Sequence, residues 1–132
     1  MSLVSPDINQ WLKEAKQDPK ASEVGMYLIH NGTVREEPKK LVRENIDDGK
    51  KVSGMFFDYD KERLKEAVEE AKTYPGVKYV RVWLNEGNLK LGDDIMYVLI
   101  GGDIRPNTIS ALEKLVGKIK TELVIENEKY QD

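Results

Sequence analysis

The chain has 132 residues, enough for one domain around one core. Its 24 acidic and 21 basic side chains leave a net charge of −3, which argues against bulk attraction to nucleic acid or an anionic membrane, so any anion site must be a local cluster of Lys and Arg. With no cysteine and one histidine, it excludes disulfides, Cys-ligated zinc, iron–sulfur clusters, a catalytic thiolate and a histidine-rich metal site.

Ser5-Pro6-Asp7 reads as a helix start, with Ser5 as N-cap, Pro at the first helical position and an acid in the first turn. Ile8, Trp11, Leu12 and Ala15 fall on one face of that helix, with Trp11 as its core anchor, and the helix is expected to end near Asp18-Pro19. Val24 to Ile29 is a short apolar strand leading into His30 and an Asn31-Gly32 turn or bulge. His30 reads as a half-buried structural residue. The segment 35–51 is densely charged and aperiodic, and it is expected to be a mobile loop with one helical turn around Lys40 to Arg43.

Val52 to Tyr59 is a second strand, and Asp60 caps a helix with the apolar stripe Leu64, Ala67, Val68 and Ala71. Val77 to Leu84 and Asp94 to Ile100 are two further strands, set close in the sheet by the turns Glu86-Gly87-Asn88 and Gly92-Asp93. Tyr79 and Trp83 share a strand face and read as core. Arg105-Pro106-Asn107 opens a last helix with Ile109, Leu112, Leu115, Val116 and Ile119 inward, and Leu123-Val124-Ile125 is a final strand. The pattern predicts a single α+β domain over residues 1–132, with helices packed on a largely antiparallel sheet. No apolar run is long enough for a membrane span and no signal peptide precedes the first helix, so the cytoplasm is the expected compartment.

Several spaced residues carry a resemblance. Gly32-Thr33-Val34-Arg35 follows the first strand, and Gly87-x-Leu89-x-x-Gly92-Asp93 precedes a hydrophobic strand. Arg105 opens the last helix and Lys120 falls near its end. In order and spacing, this set resembles the large, catalytic subunit of molybdopterin synthase over roughly Pro6 to Glu128. The resemblance implies that family's α/β-hammerhead type of fold and a role in molybdenum cofactor biosynthesis. The implied activity is a sulfurtransferase. Sulfur would pass from the thiocarboxylated Gly-Gly terminus of a small ubiquitin-like subunit to a cyclic pterin phosphate precursor. It also implies a homodimer, a site shared across that dimer, and no bound cofactor or metal.

That chemistry asks for fixed positive charge on a phosphate and for an amine able to move a proton or hold an acyl group. The resemblance makes Arg35, Arg105 and Lys118 the substrate-binding candidates and Lys120 the catalytic one. The chain departs from the family pattern at Ile104, where the family has histidine, and at Asn127, where it has a second lysine. Leu123 to Glu126 stands in place of a Pro-Phe-Trp-like segment. Lys129, two positions after Asn127 on an extended chain, is the expected stand-in for that second lysine. Asp103 would place a carboxylate near the phosphate unless it pairs with Arg105. The alternative function is a non-catalytic homologue that keeps the fold as a binding or regulatory module.

Overall fold

The structure, a computed structural model, describes residues 4–131. Helix α1 (Ile8–Ala15) begins two residues later than its sequence suggests. Asp7 is the N-cap, its carboxylate accepting hydrogen bonds from the backbone N–H groups of Asn9 and Gln10. Ser5 Oγ instead donates to Asp94 Oδ2 at 2.6 Å, tying the chain ahead of the helix to a strand. After a 3₁₀ turn (Ala21–Glu23) come β1 (Met26–Thr33), α2 (Lys39–Glu44), β2 (Val52–Tyr59) and α3 (Lys61–Ala71). They are followed by β3 (Val77–Leu84), β4 (Gly87–Lys90), β5 (Asp94–Gly102), α4 (Arg105–Glu122) and β6 (Val124–Tyr130).

The α+β architecture agrees with expectation, but the strands form two antiparallel sheets of three rather than one. Their orders are β1-β5-β3 and β4-β2-β6. Strands β3 and β5 pair directly, as their short connection suggests, while the unexpected β4 crosses to the other sheet. Gly32 marks a register shift in β1, so the Asn31-Gly32 signal is a bulge rather than a turn. Within the charged segment, α2 is longer than one turn and ends on Asn45 in the left-handed conformation.

The two sheets and the two long helices share one core. Phe57 and Met55 from β2 meet Ile95, Met96, Val98 and Ile100 from β5, with Ala67 and Ala71 of α3 and Leu115 and Ile119 of α4. The small alanines of α3 permit close approach, since α3 and α4 lie side by side in this layer. In α4, Thr108, Ala111, Leu115 and Ile119 are buried, one helical stripe, while Ile109 is exposed. The expected stripe is thus rotated, because Thr108 satisfies its own hydroxyl on Ile104 O at 2.9 Å and packs as an apolar residue. A second cluster forms on the other face of the β1-β5-β3 sheet, where Trp11 and Ala15 cover Tyr97 and Leu99, with Tyr79 and Trp83 against them. Trp11 meets Tyr97 edge-on at 6.2 Å, as aromatic quadrupoles prefer.

Candidate active site

The site forms where the open ends of both sheets meet the last turn of α4 and the short helix α2. Its position follows from three local devices. The first is the turn before β5: Val34 N donates to Asp93 O at 3.0 Å, and Gly92 N donates to Val34 O at 2.8 Å. Gly92 has φ +85°, a conformation that glycine reaches without strain. The Gly-Asp turn and the Gly-x-Val-Arg stretch therefore lock each other. Val34 is buried and the next residue, Arg35, projects into the site.

The second device is the register of β6 on β2. Phe57 lies opposite Glu126 and Met55 opposite Glu128, so both acids share the inward face of the sheet with core residues. Two carboxylates on an inward face need partners. Glu128 accepts hydrogen bonds from the backbone N–H of Lys39, at 3.1 Å to Oε2, and so caps the first turn of α2. Glu126, its side chain only 7% exposed, is paired by Oε2 with Lys39 Nζ at 2.5 Å. Its Oε1 lies 3.8 Å from Lys120 Nζ.

The third device is α4 itself, which brings Lys120 to the pocket in its last turn, where a cation suits the helix dipole. The pocket is lined by Arg35, Lys39, Arg43 and Lys120, with Glu126 and Glu128 between them and Thr33, Met55 and Ile95 completing the wall. Lys39 and Arg43 are four residues apart and so share one face of α2. Burial, and then the charges of Lys39, Arg43 and Arg35 against the opposing pull of Glu126, hold Lys120 below the ordinary lysine value. His30, behind the pocket on β1, is held below the ordinary imidazole value by burial and by the Lys120 charge. Its Nε2 is buried without a hydrogen-bond partner among the described residues.

Of the residues singled out from the sequence, the structure brings Arg35 and Lys120 together. The other three lie elsewhere. Arg105 is exposed at the first turn of α4, and fifteen residues at about 1.5 Å each separate it from Lys120 by roughly 22 Å within one chain. Lys118 projects from another face of α4 and pairs with Glu70 of α3. Lys129 shares the strand face of Asn127, but that face lies away from the pocket. The alternation along β6 turns it away from Glu126 and Glu128, and its Nζ donates to Asn88 Oδ1 on β4. Asp103 does not turn to Arg105. It accepts from Ile104 N at 2.6 Å and from Asn107 Nδ2 at 3.0 Å, which keeps its charge at the helix entry.

Lys39, Arg43, Glu126 and Glu128 emerge only from the structure. One signal for them was present: Glu126 and Glu128 alternate along the chain, opposite in charge to Lys39 and Arg43 at helical spacing. Among the described residues, no group of three or more His, Asp or Glu is placed to hold a metal ion, and no helix is long and apolar enough to cross a membrane.

The fold and this site define a class: an α+β protein with a cationic pocket built around a half-buried lysine. Within that class the chain belongs to the MoaE protein family, whose model matches residues 5–122. Its role is accordingly in molybdenum cofactor biosynthesis. A search among curated proteins gives no significant match. Among solved structures, the chain superposes on molybdopterin synthase from Staphylococcus aureus with TM-score 0.72 at 18% identity, covering 98% of this chain and 94% of that one. The molybdopterin biosynthesis MoaE protein from Burkholderia ambifaria gives 0.70 at 19% identity, covering 98% and 84%. A complex of subunits 1 and 2 of molybdopterin-converting factor from Helicobacter pylori gives 0.65 at 19%, covering 94% and 79%. At these identities the likeness is one of fold.

Proposed function

We propose that this chain is the large subunit of a molybdopterin synthase and acts as a sulfurtransferase in the cytoplasm. Its partner would be a small ubiquitin-like subunit whose thiocarboxylated Gly-Gly tail delivers sulfur to a cyclic pterin phosphate. The observation that carries the reading is the convergence of Arg35 and Lys120 on one pocket from opposite ends of the sequence. Family membership and the two-subunit complex formed by the Helicobacter pylori relative support the same partner chemistry.

In this reading Arg35, Lys39 and Arg43 hold the phosphate. Guanidinium groups offer paired donors to its oxygens, and the ammonium adds a point charge. Lys120 is the reacting amine. Burial and its cationic neighbours disfavour the ammonium form, which makes the neutral amine, able to take a proton or an acyl group, easier to reach. Arg105 can reach such an anion only from a second protomer. That fits a homodimer whose sites are shared between subunits, as the family resemblance implies.

The test is reconstitution of the purified chain with a thiocarboxylated small partner and the cyclic pterin precursor. Formation of the dithiolene product supports the reading. A stable complex that makes no product would turn it toward a non-catalytic homologue, and failure to bind the partner at all would remove the partner logic.

A further inference from the structure

Glu126 is a carboxylate where the family resemblance leads one to expect an aromatic residue, and its surroundings explain what it does. The side chain is 7% exposed, and its two oxygens are used unequally. Oε2 is bound by Lys39, whereas Oε1 is buried, has no hydrogen-bond partner among the described residues, and lies 3.8 Å from Lys120 Nζ. A buried acceptor left open beside an ammonium is costly unless the two close on each other.

We propose that Glu126 is a positioning residue for Lys120, and that Lys39 and Lys120 compete for its one carboxylate. The proposal rests on the reading of Lys120 as the reacting amine. It adds a control that this reading lacks. With Lys39 seated on Glu126, Lys120 keeps a distant and incomplete counter-charge, and the neutral amine is accessible. When an anion in the pocket draws Lys39 away, Glu126 is free to turn wholly to Lys120, orienting Nζ and favouring its protonated form.

Every charged group that faces Lys120 enters this balance. Glu126 and Glu128 approach from β6, Lys39 and Arg43 from α2, Arg35 from the chain after β1, and His30 from β1. Removing Glu126 and removing Lys39 must therefore move Lys120 in opposite directions. A Lys39–Glu126 pair that left Lys120 out of the balance would leave its titration unmoved.

The experiment is competitive acylation of the full chain with acetic anhydride across a pH series, with Lys120 followed by mass spectrometry. Only the neutral amine reacts. In E126Q the Lys120 curve is expected at lower pH, with acylation at fixed neutral pH faster by about tenfold, the scale of losing one opposite charge at this range. In Lys39→Gln the curve is expected at higher pH and the reaction slower. Curves that stay at the wild-type position, or that shift in the same direction in both variants, overturn the proposal. Circular dichroism checks folding. Should E126Q fail to fold, a Lys39→Gln curve unmoved or shifted down is sufficient to overturn it. Acylation needs no partner or substrate. Opposed shifts together with full turnover in a Lys120→Ala variant would therefore sustain the inference and remove the catalytic reading beneath it.

Discussion

The contact between Gly102 and Thr108 sets how closely the first turn of α4 lies on β5. A Cβ built on Gly102 meets Thr108 Oγ1 at 2.1 Å, Thr108 Cβ at 3.1 Å and Thr108 Cα at 3.4 Å. Ordinary contact begins at 3.4 Å, so the hydroxyl stands about 1.3 Å too near. Rotating the threonine would clear Oγ1 but break its 2.9 Å bond to Ile104 O, and Thr108 Cβ would remain tight. Otherwise the first turn of α4 must lift from β5. Overpacking of this kind costs about 1–3 kcal/mol and a lost hydrogen bond about 1 kcal/mol more, so Gly102→Ala is expected to destabilise by about 2–4 kcal/mol. Urea unfolding followed by circular dichroism measures it. Adding Thr108→Ala should be less harmful than the two single changes predict together, by about 1–2 kcal/mol, because both act on one contact. A Gly102→Ala stability within about 0.5 kcal/mol of wild type, or strict additivity in the double variant, would show that the Gly102–Thr108 contact is not tight.

Three further expectations follow from other parts of the structure. Trp11 is 5% exposed, stacks edge-on against Tyr97 and carries Arg81 over its ring at 4.5 Å, so Trp11→Ala should cost about 3–5 kcal/mol in thermal or urea unfolding. Burial pushes the Asp94 carboxyl up, but hydrogen bonds from Ser5, Asn31 and Tyr97 outweigh it and hold the group below the ordinary aspartate value. A carboxylate depressed in the folded state contributes stability above its unfolded value, about 3.9, and loses it as the pH falls through the lower folded value. Wild type should therefore exceed Asp94→Asn in stability at neutral pH, with the gap closing in strong acid; a gap independent of pH would contradict the assignment. Arg35→Ala should raise KM for the pterin phosphate about tenfold with a smaller change in kcat, because it removes a charge-assisted contact to a group that does not react.

Much of this fold was legible because its elements carry local signals. Strands β2 and β3 have the boundaries that their apolar runs mark, and Asp60 caps α3 as its type and place suggest. What was not legible depends on distant partners. Ser5 and Asp7 are both competent caps, and the choice was made by Asp94, far along the chain, which takes the Ser5 hydroxyl. Strand β4 has four residues, too few for a period to show, and it takes in Gly87 and Asn88, which read locally as a turn; it exists because β2 pairs with it. The division into two sheets is likewise a matter of non-local pairing.

The site divides along the same line. Arg35 and Lys120 could be selected through motif spacing, since each sits at the end of a well-marked element. Lys39, Arg43, Glu126 and Glu128 could not, because their meeting requires the register of β6 on β2 and the docking of α2 on Glu128. Lys129 shows how narrow the margin is. Asn127 and Lys129 share a strand face, as the two-residue period requires, but that face turns toward Asn88 and away from the pocket.

The proposed function stands on Lys120 as the reacting amine of a sulfur-transfer pocket. Its most direct test is single-turnover sulfur transfer from the thiocarboxylated partner to the pterin precursor, comparing wild type with Lys120→Ala. The variant is expected to bind the partner still while turnover falls by about 100-fold or more, the scale of losing a positioned proton-transfer group. Turnover at the wild-type rate in Lys120→Ala would contradict it.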